Sequence, residues 1–387
     1  MSDDLLQQEI LWVKDNAQLE SLCEAWEQKP LLALDTEFMR SRTYYPIAGL
    51  IQVNDGERNA LIDPTAITDF FPFVELLDNP NVIKVLHSCS EDLEVFQHAL
   101  GCLPKNLLDT QIAGAMCGHG FSVGFGNLVS QVLKADLPKG ETRSDWMQRP
   151  LSQSQIHYAA LDVEYLFPLA TSLMAKLEEK QRLTWALDDS AAMVDNFFDN
   201  QDPDRGHLRF KSAWKLSARQ LATLKSLSRW REDEAQANNI PRNRMLKDTA
   251  MFGISQKAPT QLAQLRTFEG MSERMVRSYG EQFLHMVEAA QGLPEAELPA
   301  TLPRPLHAHE RDILASLKAE VAKIAESLGV ANEVLMRKRD YEALLFAARD
   351  GVYALPKTLQ GWRQSVVGDT MVAMVKELNE AADSAAT

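Results

Sequence analysis

A change of pattern near Ser152 constrains this chain more than any other feature. Before it, over 31–135, short β-prone runs alternate with helical stretches. LLALDTEF, AGLIQVN, RNALIDP and NVIKVLHS have strand character, and ITDFFPFVELLDN and SEDLEVFQHAL have helical character. This alternation, with the wholly apolar run at 31–34, predicts an α/β sheet with helices packed on its faces. Beyond Ser152 the pattern is almost wholly helical. Ser152 and Gln155 form an S-x-x-Q capping box that starts a long helix, which Pro168 should bend or break.

Two segments look like linkers. DNQDPDRG (199–206) is polar, and QGLPEAELPATLPRPL (291–306) carries four prolines that favour extended chain. They divide the 387 residues into modules at 1–205, 206–292 and 300–387. The last two resemble each other at an offset of 90 residues, pairing Leu224 with Leu314, Leu227 with Leu317, Ala235 with Ala325 and Met245 with Leu335. Charge separates the modules: 15 Lys/Arg against 32 Asp/Glu over 1–205, 14 against 8 over 206–292, and 11 against 14 over 293–387. A net charge of −14 argues against a polyanion partner, but the middle segment is net positive, and phosphate affinity follows local basic surface.

Several classes fall away. No apolar run approaches the ~18 residues of a membrane span, and the acidic start is unlike a signal peptide, so no membrane association and a cytoplasmic location are expected. The four cysteines never take C-x-x-C spacing, which speaks against a zinc ribbon or a disulfide framework. The glycine cluster GHGFSVGFGN lacks the lysine of a phosphate-binding P-loop.

Three acidic sites stand out. Alternation along a strand puts Asp35 and Glu37 on one face, roughly 6.6 Å apart, where two buried acids call for a divalent cation; an ordinary strand end entering solvent explains a lone D-x-E equally well. Asp92 lies in the opening turn of a helix, where it would also favour the helix dipole. Tyr158 and Asp162, four residues apart on the capped helix, share a face.

Together and in this order, these sites resemble the DEDD 3′–5′ exonucleases of the tyrosine subgroup. LALDTEFMRSRTYYPIAGLIQV, KVLHSCSEDLEVF and ETRSDWMQRPLSQSQIHYAALDVEYL are similar to the ribonuclease D family over nearly all of 28–200. LKSLSRWREDEAQANNIPRNRMLKDTAM resembles an HRDC domain. LASLKAEVAKIAESLGVANEVLMRKRDYEALL resembles a divergent second one, without counterparts of Trp230 and Pro241.

The resemblance implies a ribonuclease H-like mixed sheet flanked by helices, followed by two small all-α HRDC-like domains. It implies a monomer that trims the 3′ ends of precursor tRNA and other small structured RNAs. Two divalent metal ions, Mg²⁺ or Mn²⁺, would be held by Asp35, Glu37, Asp92 and Asp162, with Tyr158 orienting the attacking water. Such hard cations take oxygen ligands. Phe38 and Met39, beside the acids, are expected to stack at the last bases. Arg143, Trp146 and Arg149 form a basic-aromatic cluster suited to RNA, or alternatively a loop anchored by Trp146. Arg242, Arg244 and Lys247 belong to the basic middle segment and are expected to meet phosphates. A DNA exonuclease and a non-catalytic nucleic-acid-binding adaptor are the alternatives, since the acids do not inspect the 2′-hydroxyl.

Overall fold

The computed structural model describes residues 8–138, 140 and 144–386. Six strands form one mixed sheet: β1 (Glu9–Val13), β2 (Leu31–Met39), β3 (Ile47–Asn54), β4 (Arg58–Ile62), β5 (Ile83–Leu86) and β6 (Leu107–Asp109). Their order is β1-β4-β3-β2-β5-β6, with β3 and β4 antiparallel and the β1–β4, β2–β5 and β5–β6 pairs parallel. β2 therefore sits inside the sheet, which is why Leu31, Leu32, Ala33 and Leu34 are all buried.

Seven helices accompany the strands: α1 (Asn16–Trp26), α2 (Phe71–Asp78), α3 (Ser90–Leu100), α4 (Thr110–Cys117), α5 (Phe125–Leu133), α6 (Gln153–Glu179) and α7 (Leu183–Asp195). At the start of α6, Ser152 Oγ accepts from Gln155 N at 3.2 Å and Gln155 Oε1 accepts from Ser152 N at 2.9 Å, so the capping box is formed. Of the two expectations for Pro168, a bend or a break, the break does not occur: α6 runs through it. Pro168 lies on the exposed side, while Leu166, Leu169, Ala170, Leu173 and Leu177 are buried on either side of it and hold both halves to one core.

The remaining helices are α8 (Phe197–Gln201), α9 (Ala218–Ala237), α10 (Arg242–Met245), α11 (Asp248–Lys257), α12 (Leu262–Leu265), α13 (Glu273–Gly292), α14 (Ala308–Leu328), α15 (Asn332–Leu335), α16 (Lys338–Arg349) and α17 (Asp369–Ala386). The polar segment at 199–206 is more ordered than its composition suggests, because Pro203–Arg209 forms a 3₁₀ helix and buries His207. α14, α15 and α16 begin 90 residues after α9, α10 and α11, respectively. The residues closing α10 and α15 share one conformation as well: Leu246 has φ −153°, ψ 130° and Met336 has φ −145°, ψ 131°.

The described chain divides into two compact units. One consists of Met1–Phe38, Ala48–Val194 and Leu306–Thr387, the other of Met39–Ile47 and Asp195–Pro305. In the first, α7 is tied to the last helices: Arg363 donates to both oxygens of Asp189 at 2.6 and 2.7 Å, and Trp362 stacks on Trp185 with centroids 4.4 Å apart. Arg182, itself buried, donates to the carbonyls of Met116 and Leu328. In the second, Trp230 packs edge-on against Phe283 and Tyr279, and the Tyr44 ring lies under the Arg242 guanidinium at 4.6 Å. Among the described residues, no helix is long and apolar enough to cross a membrane, and the four cysteines are free.

Candidate active site

The sheet and α6 bring the acids together. β2 presents Asp35 and Glu37 to the same cleft, and Thr36, between them, points into the buried side. Asp162 reaches the cleft from α6. One carboxylate oxygen from each of Asp35, Glu37 and Asp162 lies within 4.8 Å of the others. Asp92, in the first turn of α3, lines the same cleft but does not join that trio. Its carboxylate accepts from Thr36 Oγ1 at 2.5 Å, which ties the start of α3 to β2.

Tyr158 and Asp162, one helical turn apart, both line the cleft, and the phenol hydrogen-bonds the Asp162 carboxylate. Gly140 runs so close over Tyr158 that a Cβ there would come within 2.0 Å of the ring.

Among the described residues, no lysine or arginine lines the cleft, whose lining is Asp35–Phe38, His87, Ser88, Glu91, Asp92, Phe125, Tyr158, Asp162 and Leu166. The acids therefore face one another with no cation from the described residues between them. Burial first, then the charges of Asp92, Asp162 and Glu37, drives Asp35 well above the usual carboxylate range. Burial and the neighbouring Asp162 and Asp92 push Glu37 up to about 9. Burial lifts Asp162 to about 7 and Asp92 to about 6, against opposing hydrogen bonds from Tyr158 and Thr36. Tyr158 is also raised, by burial and by the nearby carboxylates, so its hydroxyl keeps its proton at neutral pH. An all-oxygen donor set with this mutual repulsion suits a hard divalent cation, whose charge offsets what the protein leaves uncompensated.

Two residues at the site were not singled out from the sequence. Thr36 is one. The other is Asp109 at the end of β6, 1% exposed, which accepts from Ser88 N and Cys89 N at 3.0 Å each and from Gln111 N at 2.7 Å. It thereby fixes the turn between β5 and α3, including Ser88 in the left-handed region at φ 57°. A strand-end Asp preceding a helix is so common that no sequence signal marks this role. His87, which also lines the cleft, pairs Nδ1 with Thr110 Oγ1 at 2.9 Å.

The residues expected to meet RNA divide into groups. Phe38 lines the cleft, Met39 closes β2, and Arg143 lies outside the described residues. Trp146 and Arg149 match the alternative of a loop anchored by Trp146. Trp146 is 3% exposed, and the Arg149 guanidinium is engaged by Asp63 and by backbone carbonyls. Arg242 is likewise held, by Glu232 and Tyr44, because a buried carboxylate demands a partner. Arg244 and Lys247 are exposed, Arg244 reaching the Ser41 carbonyl at 3.4 Å.

Comparison with known proteins agrees with this geometry. A family model described as a 3′–5′ exonuclease matches residues 10–178, and one described as an HRDC domain matches 220–287. Ribonuclease D of Pseudomonas paraeruginosa is 44% identical over 365 residues, spanning 94% of this chain and 97% of that protein. Ribonuclease D of Escherichia coli is 37% identical over 362 residues, 93% of this chain and 96% of its own. The crystal structure of Escherichia coli RNase D superposes with a TM-score of 0.86 at 35% identity, covering 96% of this chain and 99% of that one. With its acids gathered on an exonuclease-type sheet and relatives matching along almost its whole length, the chain belongs to the ribonuclease D family of 3′–5′ exoribonucleases.

Proposed function

We propose that this exoribonuclease trims 3′ extensions of precursor tRNA and other small structured RNAs, releasing 5′ mononucleotides as a cytoplasmic monomer. The observation that carries the chemistry is the Asp35–Glu37–Asp162 trio within 4.8 Å, with Asp92 and Tyr158 in the same cleft and, among the described residues, no cationic side chain lining it. The substrate class follows the Escherichia coli relative, an exoribonuclease involved in structured RNA processing. Asp35, Glu37 and Asp162 would hold one divalent cation, and Asp35 with Asp92 a second, Mg²⁺ or Mn²⁺. Bound there, the pair supplies the acidity that ionises the attacking water and the charge that stabilises the departing 3′ oxygen.

The chain's own residues do the rest. Tyr158, a phenol that keeps its proton, orients the attacking water by hydrogen bonding and does not act as its base. Thr36 holds Asp92, and Asp109 holds the turn before it. Phe38 stacks on the terminal base, with Met39 beside it, and the exposed Arg244 and Lys247 meet phosphates further along the strand. We also assign the modules as an exonuclease domain at 1–205, an HRDC domain at 206–292 and a divergent HRDC-like domain at 300–387. The shared 90-residue offset of α9–α11 and α14–α16 supports the last of these.

Trimming of a 3′-extended tRNA is expected to stop in EDTA and to resume with added Mg²⁺ or Mn²⁺. Chelator-resistant trimming would refute the cation reading. Equal initial rates on matched RNA and DNA oligonucleotides would refute RNA selectivity, and tight RNA binding without shortening under either cation would leave an adaptor.

A further inference from the structure

The segment 144–150, between the sheet and α6, has no assigned part in the reaction, yet its hydrogen bonds fasten it to β3, to the end of β4 and to α6. The Arg149 guanidinium donates through Nε and Nη2 to the two oxygens of Asp63, at 2.8 and 2.6 Å. It also donates through Nη2 to the Gly49 carbonyl at 2.7 Å, and through Nη1 to the carbonyls of Trp146 and Gln148 at 3.0 and 2.9 Å. One side chain thus pins β3, the end of β4 and the loop itself. Gln155, in the first turn of α6, reaches back to the Asp145 carbonyl at 3.1 Å.

Inside this frame sits Trp146, in a cluster with Leu50, Leu61, Leu151 and Ala159, against which Tyr158 also packs. The Trp146 and Tyr158 rings lie 6.3 Å apart at 38°. The approach to the sheet is tight: a Cβ at Gly49 would fall 2.7 Å from the Trp146 carbonyl oxygen and 2.8 Å from its Cβ. The Trp146 indole N–H is buried without a hydrogen-bond partner among the described residues, so the ring is held by its volume and not by its polarity. Neither Trp146 nor Arg149 lines the acidic cleft.

We propose that 144–150 is a positioning strap for Tyr158: Arg149 and Asp63 lash the loop to the sheet, and the Trp146 ring, wedged against α6, sets the direction of the phenol from outside the cleft. Trp146, Arg149 and Asp63 are positioning residues that act through Tyr158 and touch neither substrate nor cation. The inference rests on the reading of Tyr158 as the group that orients the attacking water. Small misplacement of such a group is costly, on the order of 10- to 100-fold in turnover.

The test is a double-mutant cycle on the full chain, with single-turnover trimming of an RNA oligonucleotide as readout and Mn²⁺ titration and thermal melting as controls. Arg149→Lys and Trp146→Ala are expected to lower kcat roughly 10- to 100-fold, with KM and the Mn²⁺ midpoint unchanged. Trp146→Phe, which gives up only an unpaired N–H and some volume, should stay close to wild type. In a Tyr158→Phe background the same substitutions should cost almost nothing more. Where Trp146→Ala fails to fold, Asp63→Asn takes its place in the cycle. Equal losses with and without the Tyr158 hydroxyl would overturn the strap and leave the Tyr158 reading intact. Wild-type turnover by Tyr158→Phe itself would overturn that reading, and the strap with it.

Discussion

Two kinds of buried or half-buried carboxylate occur in this protein. Asp63, Glu232 and Asp189 each face an arginine, Arg149, Arg242 and Arg363, at 2.5–2.6 Å. Asp35, Glu37, Asp92 and Asp162 face one another in a cleft that, among the described residues, no arginine or lysine lines. The first kind is compensated within the chain: its partners hold Asp63 and Glu232 below their usual range against the burial that would raise them. The second kind is left uncompensated, and all four acids are displaced upward. Where the protein supplies the counter-charge a carboxylate is structural, and where it withholds one a ligand must complete the site.

Single substitutions should separate the two kinds by the sign of their effects. The largest is expected from Asp35→Asn, which removes a ligand but also a repulsion. Trimming should fall on the order of 10³-fold or more, while the metal-free protein melts no lower than wild type. A large drop in melting temperature would place Asp35 among the structural acids.

Arg242→Ala is the opposite case. It strands Glu232, 6% exposed, and removes the cation above the Tyr44 ring, at a cost of about 2 kcal/mol, readable as a lower midpoint in urea. An unchanged midpoint would show that the pair adds nothing net.

The smallest and most diagnostic effect is on pH dependence. Asp92, Asp162 and Glu37 are raised to about 6, 7 and 9, so in the metal-free state the folded chain binds more protons than the unfolded chain above the ordinary carboxylate range. Stability should be fullest near pH 4 and should decline as pH rises through about 6 to 9. Saturating Mg²⁺ should flatten that decline, and Asp35→Asn should weaken it. Melting temperatures at several pH values, with and without the cation, provide the check, and a metal-free curve that rises with pH would refute the arrangement.

The parts of the site carried by local periodicity were legible beforehand. Alternation along β2 set Asp35 and Glu37 on one face, and the four-residue spacing of Tyr158 and Asp162 set them on one side of α6. The capping box at Ser152 was readable for the same reason, since its two hydrogen bonds span only three residues. β1 and β6, of five and three residues, were not read from the sequence; at three residues β6 has too few alternations to stand out. Pro168 does not end α6 because its local cost is outweighed by the leucines that bury both halves of the helix.

Side-chain roles set by distant partners were not legible. The sequence leaves Trp146 and Arg149 open between an RNA-binding cluster and an anchored loop, and only the fold brings Asp63 and Gly49, 86 and 100 residues from Arg149 along the chain, beside it. Arg242 looks like a phosphate contact until Tyr44 and Glu232 are found around it.

Residue order and periodicity by themselves determined most element types and which acids share a strand or helix face, because these depend on neighbours within a few residues; the resemblance to the exonuclease family joined the three motifs into one all-oxygen site. Only the tertiary structure decided which charges were already neutralised and which were left for a ligand, because the energy of a buried charge depends on what the fold places within a few ångströms of it.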